Sequence, residues 1–196
     1  MNKAKGIDTR KLVLLALLTA IVIVLQFLGA SIRFGPFSVS LVLMPIVIGA
    51  ALTGMYGGGW LGLVFGLVVL LSGDAGPFLA VDPLGTVIVV LLKGLLAGLA
   101  AGAVYKLLAG KSRTVAAIAA GIVCPVVNSG IFIAGCYVFF LPTLTEWGMA
   151  AGFVDVTAFI FLGMVGLNFI FELGLNIVFS PAIVRLIQYG QEKRSS

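Results

Sequence analysis

The 196-residue chain contains no histidine. That absence removes Ser-His-Asp and Cys-His catalysis, histidine proton relays and most zinc and haem sites. Charge is also scarce: Asp and Glu number 7, Lys and Arg 12, and together they make up 10% of the residues, where a soluble domain carries roughly 25%. There is no GxxxxGK[ST] loop, so ATP hydrolysis by a P-loop is excluded, and no paired acidic motif suits a magnesium-dependent phosphotransferase. Cysteine is limited to Cys124 and Cys136, in one apolar run. Helical geometry would hold them ~18 Å apart, too far for a disulfide, so both read as packing residues.

What remains is apolar, with 61% of residues hydrophobic. Repeated apolar runs indicate an all-α, polytopic integral membrane protein forming a single membrane domain over 1–196. Six spans are predicted, at about 11–30, 39–55, 57–72, 85–106, 114–140 and 156–185. The second and third are short for a hydrocarbon layer of ~30 Å at ~1.5 Å per residue. The last is long enough to tilt.

Basic residues set the orientation. Lys3, Lys5, Arg10 and Lys11 precede span one, Lys106, Lys111 and Arg113 separate spans four and five, and Arg185, Lys193 and Arg194 follow span six. With an even number of spans all ten fall on one side, the cytoplasmic side, together with both termini. The net charge of +5 is therefore a topology signal and not a nucleic-acid patch. Span one has too long an apolar core for a secretory leader, so an uncleaved helix is expected. On the outer side, Asp74, Asp82, Glu146 and Asp155 accompany Phe78, Phe140 and Trp147 in or beside the loops 73–84 and 141–155. Such loops are either shaped to close over a ligand or simple hydrophilic connectors.

Two intramembrane charges stand out. Lys93 lies thirteen residues before Lys106, and Glu172 thirteen before Arg185. Both are thus ~20 Å from the cytoplasmic boundary. Gln26 and Asn128 reach the same layer to within about a turn, counted from Lys11 and Arg113. Charges at that depth cost several kcal/mol unless paired or facing water. One internal site shared by four spans is more economical than four isolated polar groups. The layer lies nearer the outer face, which implies a pocket open to the outside. Lys93 and Glu172 either bridge spans four and six or contact a ligand. Asn168 and Asn176 flank Glu172 at i−4 and i+4 and extend a polar stripe along span six.

Small residues recur every four positions at Gly58/Gly62/Gly66, at Gly94/Gly98/Gly102 and at Ala16/Ala20. The glycine stripes suit close helix packing inside the bundle, and the alanine pair, near the cytoplasmic end, suits a helix from another subunit. Pro45 and Pro125 interrupt spans two and five, the latter near the polar layer.

These features together resemble the substrate-binding S components of energy-coupling-factor (ECF) vitamin transporters. The resemblance is carried by KLVLLALLTAIVIVLQF (11–27), PIVIGAALTGMYGGGWLG (45–62), LLKGLLAGLAAG (91–102) and NFIFELGLNIVFSPAIVRLI (168–187). It implies a six-helix subunit of a bacterial-type cytoplasmic membrane. Such a subunit captures a vitamin or related micronutrient in an outward-facing pocket covered by loops. A separate membrane coupling subunit and two ATPases would supply the energy, so this chain itself needs no cofactor. The coupling subunit would meet Ala16 and Ala20. Candidate substrate contacts are Lys93, Asn128, Glu172, Asn168, Gln26, Phe78, Asp82 and Trp147. The resemblance does not identify the substrate. Rival readings are a structural subunit of a membrane complex, a stand-alone secondary transporter, for which no internal repeat is visible, and a membrane enzyme. The last would rest on Lys93, Glu172 and Asn128 alone, without a nucleophile or metal site.

Overall fold

A computed structural model describes residues 9–31, 33–34, 37–38, 41–178 and 184–185. Lys3, Lys5, Lys193 and Arg194, both termini, and the stretches 39–40 and 179–183 within the expected spans two and six lie outside the described residues. The described residues are mainly helical, with one hairpin of two-residue strands, β1 (Arg33–Phe34) and β2 (Phe37–Ser38), paired antiparallel. The helices are α1 (Thr9–Ser31), α2 (Leu43–Thr53), α3 (Met55–Leu71), α4 (Gly76–Val81), α5 (Pro83–Leu108), α6 (Arg113–Gly135), α7 (Leu141–Ala150), α8 (Val156–Ala158) and α9 (Leu167–Val178). Two π-helical segments, Cys136–Phe140 and Phe159–Gly166, join α6 to α7 and α8 to α9.

Among the described residues, four stretches are long and apolar enough to cross a membrane: Thr9–Ala30, Pro83–Leu108, Arg113–Ala150 and Val156–Val178. The other two expected spans are shorter helices, of 11 residues for α2 and 17 for α3. At 1.5 Å per residue α2 is only ~16 Å long, about half the hydrocarbon thickness. A single residue separates α2 from α3: Gly54, whose φ of 93° turns the chain directly into α3. Pro45 does not interrupt α2. It sits in the first helical turn, where its missing N–H costs nothing. Pro125 does lie inside α6. The loops expected over 73–84 and 141–155 are largely helical, as α4 and α7, each with proline in its first turn.

The glycine stripes face one another. A methyl group added at Gly62 would strike the Gly94 carbonyl oxygen, and one at Gly94 the Gly62 carbonyl oxygen. The same reciprocity joins Gly58 to Gly98. Helices α3 and α5 therefore touch backbone to backbone, a contact that any side chain would block. The other face of α5 packs on α6, with Ala97, Ala101, Ala116 and Ala120 buried. Helix α1 offers only a narrow stripe to this core: Leu18, Val22, Gln26 and Ala30 are buried at four-residue intervals. Its remaining surface is apolar and exposed, including Leu17, Val24 and Leu28, as a lipid-facing helix should be.

Among the described residues two buried apolar clusters result. The larger joins α1, α2, α3, α5 and α6. The smaller is rich in aromatics and gathers Phe78, Phe140, Leu144, Phe159 and Met164 from α4, α7 and the π segments.

Candidate functional site

A cavity opens where the two clusters meet. It measures about 850 Å³ including its mouth and is lined by Gln26 of α1, Phe65 of α3, Lys93 of α5, Asn128 of α6 and Glu172 and Asn168 of α9, among others. The four residues assigned to one polar layer from boundary counting, Gln26, Lys93, Asn128 and Glu172, thus line one cavity.

Helical periodicity explains most of the remaining lining. Thr86, Val89, Val90 and Lys93 follow i, i+3, i+4, i+7 on α5. Asn128 and Phe132 are one turn apart on α6, with Ser129 beside them. The π segments contribute Phe140, Met164 and Val165. Extra residues per turn in such segments redirect side chains that an α-helix would point elsewhere.

Lys93 does not bridge to Glu172. Its ammonium lies 5.1 Å from the Phe132 ring centroid and 5.7 Å from that of Phe65, held by the negative faces of two aromatic rings. No hydrogen bond or ion pair joins it to Glu172 among the described residues. Glu172, 1% exposed, accepts a 3.0 Å bond at Oε1 from Asn168 Nδ2, while Oε2 is buried with no partner. Asn128 Oδ1 and Asn168 Oδ1 are likewise buried and unpartnered. Asn176, one turn on, turns its amide nitrogen back to the Glu172 carbonyl at 2.8 Å and does not line the cavity.

At the opposite side Gln26 Nε2 donates to Asp74 Oδ2 at 2.6 Å, joining α1 to the segment before α4. Phe78 of α4 is the hub of an aromatic cluster, with Phe140, Phe132 and Trp147 at centroid distances of 5.0, 5.5 and 5.7 Å, all edge-on. Phe78 and Asn168 line the cavity.

Two of the expected contacts do not. Trp147 packs edge-on against Phe78 and is not a lining residue. Asp82 caps α5, accepting from Gly85 N at 2.9 Å, and its geometry is that of an N-cap followed by proline. The Asp-Pro pair was the sequence signal for that role. Asp155 likewise caps α8 through the amides of Thr157 and Ala158. Phe65, Asp74, Thr86 and Phe132 are lining residues that boundary counting missed. Periodicity from Lys93 and Asn128 points to Thr86 and Phe132. Nothing local in the sequence singles out Phe65. Ala16 and Ala20 lie on the exposed side of α1, off its buried stripe.

A family profile described as ECF transporter, substrate-specific component, matches residues 10–184. The chain belongs to this family. Its members are the substrate-binding subunits of transporters and not enzymes, and they work with ECF coupling and ATPase subunits on a small-molecule substrate. A search of curated proteins finds no match to the chain. Family membership and the apolar helices together make this S component a multi-pass membrane protein.

Proposed function

We propose that this S component captures a vitamin or related micronutrient in the cavity between α1, α3, α5, α6 and α9. The observation that carries the reading is the convergence of Gln26, Lys93, Asn128 and Glu172, from four separate helices, on one aromatic-walled cavity. Polar groups of this cost are retained inside a membrane protein where they serve a site. Concave, mainly apolar cavities with a few convergent polar groups are the usual form of small-molecule sites.

In this reading the chain crosses a bacterial-type cytoplasmic membrane six times, α2 and α3 supplying the two short passages. Both termini and the basic linker around Lys111 face the cytoplasm. The cavity opens outward, with α4 and α7 over its mouth. A separate membrane coupling subunit docks on the exposed Ala16–Ala20 face of α1, and two ATPases provide the energy this chain cannot. Phe78 and Trp147 hold the aromatic wall, and Lys93, Asn128, Asn168, Glu172 and Gln26 hold the polar groups of the substrate.

The test is ligand-induced thermal stabilisation of the purified chain across a vitamin and micronutrient panel. A ligand at 100 times its dissociation constant adds about 2.7 kcal/mol. The expected result is one stabilising compound whose effect is lost in Lys93→Ala or Glu172→Ala. A well-folded protein that no compound stabilises, or a hit indifferent to both substitutions, would remove the reading.

A further inference from the structure

The donors and acceptors around the cavity do not balance. Three buried acceptor atoms on its lining residues have no partner among the described residues: Asn128 Oδ1, Asn168 Oδ1 and Glu172 Oε2. They come from α6 and α9. Asn168 cannot simply turn over to satisfy itself, because its amide nitrogen is already committed to Glu172 Oε1. Leaving such groups without donors is costly, most of all for a carboxylate. Lys93 could have answered Glu172 and does not, standing instead against the Phe65 and Phe132 rings. Its ammonium has donors to give and, among the described residues, meets only ring faces. Among the described residues, the lining carries Lys93, Glu172 and Asp74 as its ionisable groups, and Asp74 is engaged by Gln26.

We propose, building on the capture reading above, that the substrate is amphoteric. A cationic, N–H-bearing group (an amine or amino-heterocycle) sits against Glu172, Asn128 and Asn168, and a carboxylate or carbonyl oxygen of the same molecule is received by Lys93. The body between them is flat and lies among the phenyl rings. An ammonium or amidinium answers all three orphan acceptors with N–H donors and offsets the buried carboxylate. A dianion would set a second carboxylate against Glu172 and would leave those acceptors unanswered. The specificity therefore comes from pairing opposite functional groups across one aromatic chamber.

Four probes with one ring in common separate the contributions: 4-(aminomethyl)benzoate, benzylamine, 4-methylbenzoate and terephthalate. Their dissociation constants for the purified full chain are measured by saturation-transfer NMR. The amphoteric probe is expected to bind at least tenfold tighter than either single-function probe, about 1.4 kcal/mol, with terephthalate weakest. Glu172→Gln should erase its advantage over 4-methylbenzoate, and Lys93→Met its advantage over benzylamine. Asn128→Leu should weaken the amine-bearing probes and spare 4-methylbenzoate.

The ranking in the unaltered protein is decisive even where a variant folds poorly. Terephthalate binding as well as the amphoteric probe, an amine preference that survives Glu172→Gln, or no binding of any probe at millimolar concentration would overturn the proposal. So would sodium chloride, but not choline chloride, displacing benzylamine in a Glu172-dependent way, since the acceptors would then hold a metal cation. A panel vitamin that binds but carries no N–H group would remove this proposal and leave capture intact, whereas silence across the panel removes capture itself.

Discussion

Replacing Gly94 by alanine tests the central packing contact of the bundle. In an ordinary helix interior the change is favourable by about 1 kcal/mol, because alanine is the better helix former. Here the added methyl would lie against the Gly62 carbonyl, whose carbon is 3.1 Å from the new Cβ and whose oxygen is nearer still, with Gly66 N at 3.4 Å. Heavy atoms are in good contact at about 3.5 Å, and a gap of 0.5–1 Å forfeits a quarter to a half of the attraction across it. The obstacle is backbone and cannot rotate away, so α3 and α5 must part. Overpacking of this kind costs about 1–3 kcal/mol, and an immovable obstacle belongs at the upper end, leaving a net loss of about 2 kcal/mol after the gain in propensity. For a chain of this size that lowers the melting temperature by roughly 4–8 °C.

Gly130→Ala is the control, since a Cβ there meets nothing within 4 Å. It should melt at or above the parent temperature. Gly62→Ala pushes the same two backbones apart, so the double variant should lose less than the two single losses added together. Melting curves in one mild detergent compare the four variants with the parent. Gly94→Ala melting as high as the parent would refute the backbone contact.

Other substitutions separate capping, wall and docking roles. Asp82→Ala removes the α5 cap and should cost about 0.5–2 kcal/mol of stability, with ligand affinity unchanged and Asp82→Asn close to the parent; a selective loss of affinity would return Asp82 to the binding wall. Ala16→Leu with Ala20→Leu alters an exposed face, so melting and ligand binding should hold while co-purification with the coupling subunit falls; undiminished co-purification would place that interface elsewhere. Phe78→Ala empties the hub of the aromatic cluster and should cost about 3–5 kcal/mol and weaken any ligand; a parent-like melting curve would show that the cluster carries no stability.

Part of the site was legible because membrane depth is a one-dimensional quantity. Counting from the flanking cations placed Gln26, Lys93, Asn128 and Glu172 at one level, and they do share one cavity. Counting says nothing about azimuth, so it could not tell whether Lys93 meets Glu172 or the rings of Phe65 and Phe132. The composition of the outer loop 73–84 put Asp82 among the candidate contacts, whereas in the structure it caps α5 and is not a lining residue, and the Asp-Pro pair at a helix start is the local signal for that cap. The partner of each glycine stripe was equally open from sequence, since every small-residue stripe looks alike until two helices are brought together.

Composition alone made this a helical membrane protein. Apolar residues dominate, charge is scarce, and backbone hydrogen bonds within lipid must close inside each helix. Likewise, the missing histidine and P-loop excluded whole classes of chemistry before any fold was considered. Tertiary structure decided which faces meet. It set the Gly62–Gly94 seam against backbone, shortened α2 through the reversal at Gly54, and put Lys93 on phenyl rings while Glu172 kept an unanswered oxygen. The physical reason is that burial along one helix depends on residue type, whereas contact between helices depends on rotation and register that only the packed bundle defines.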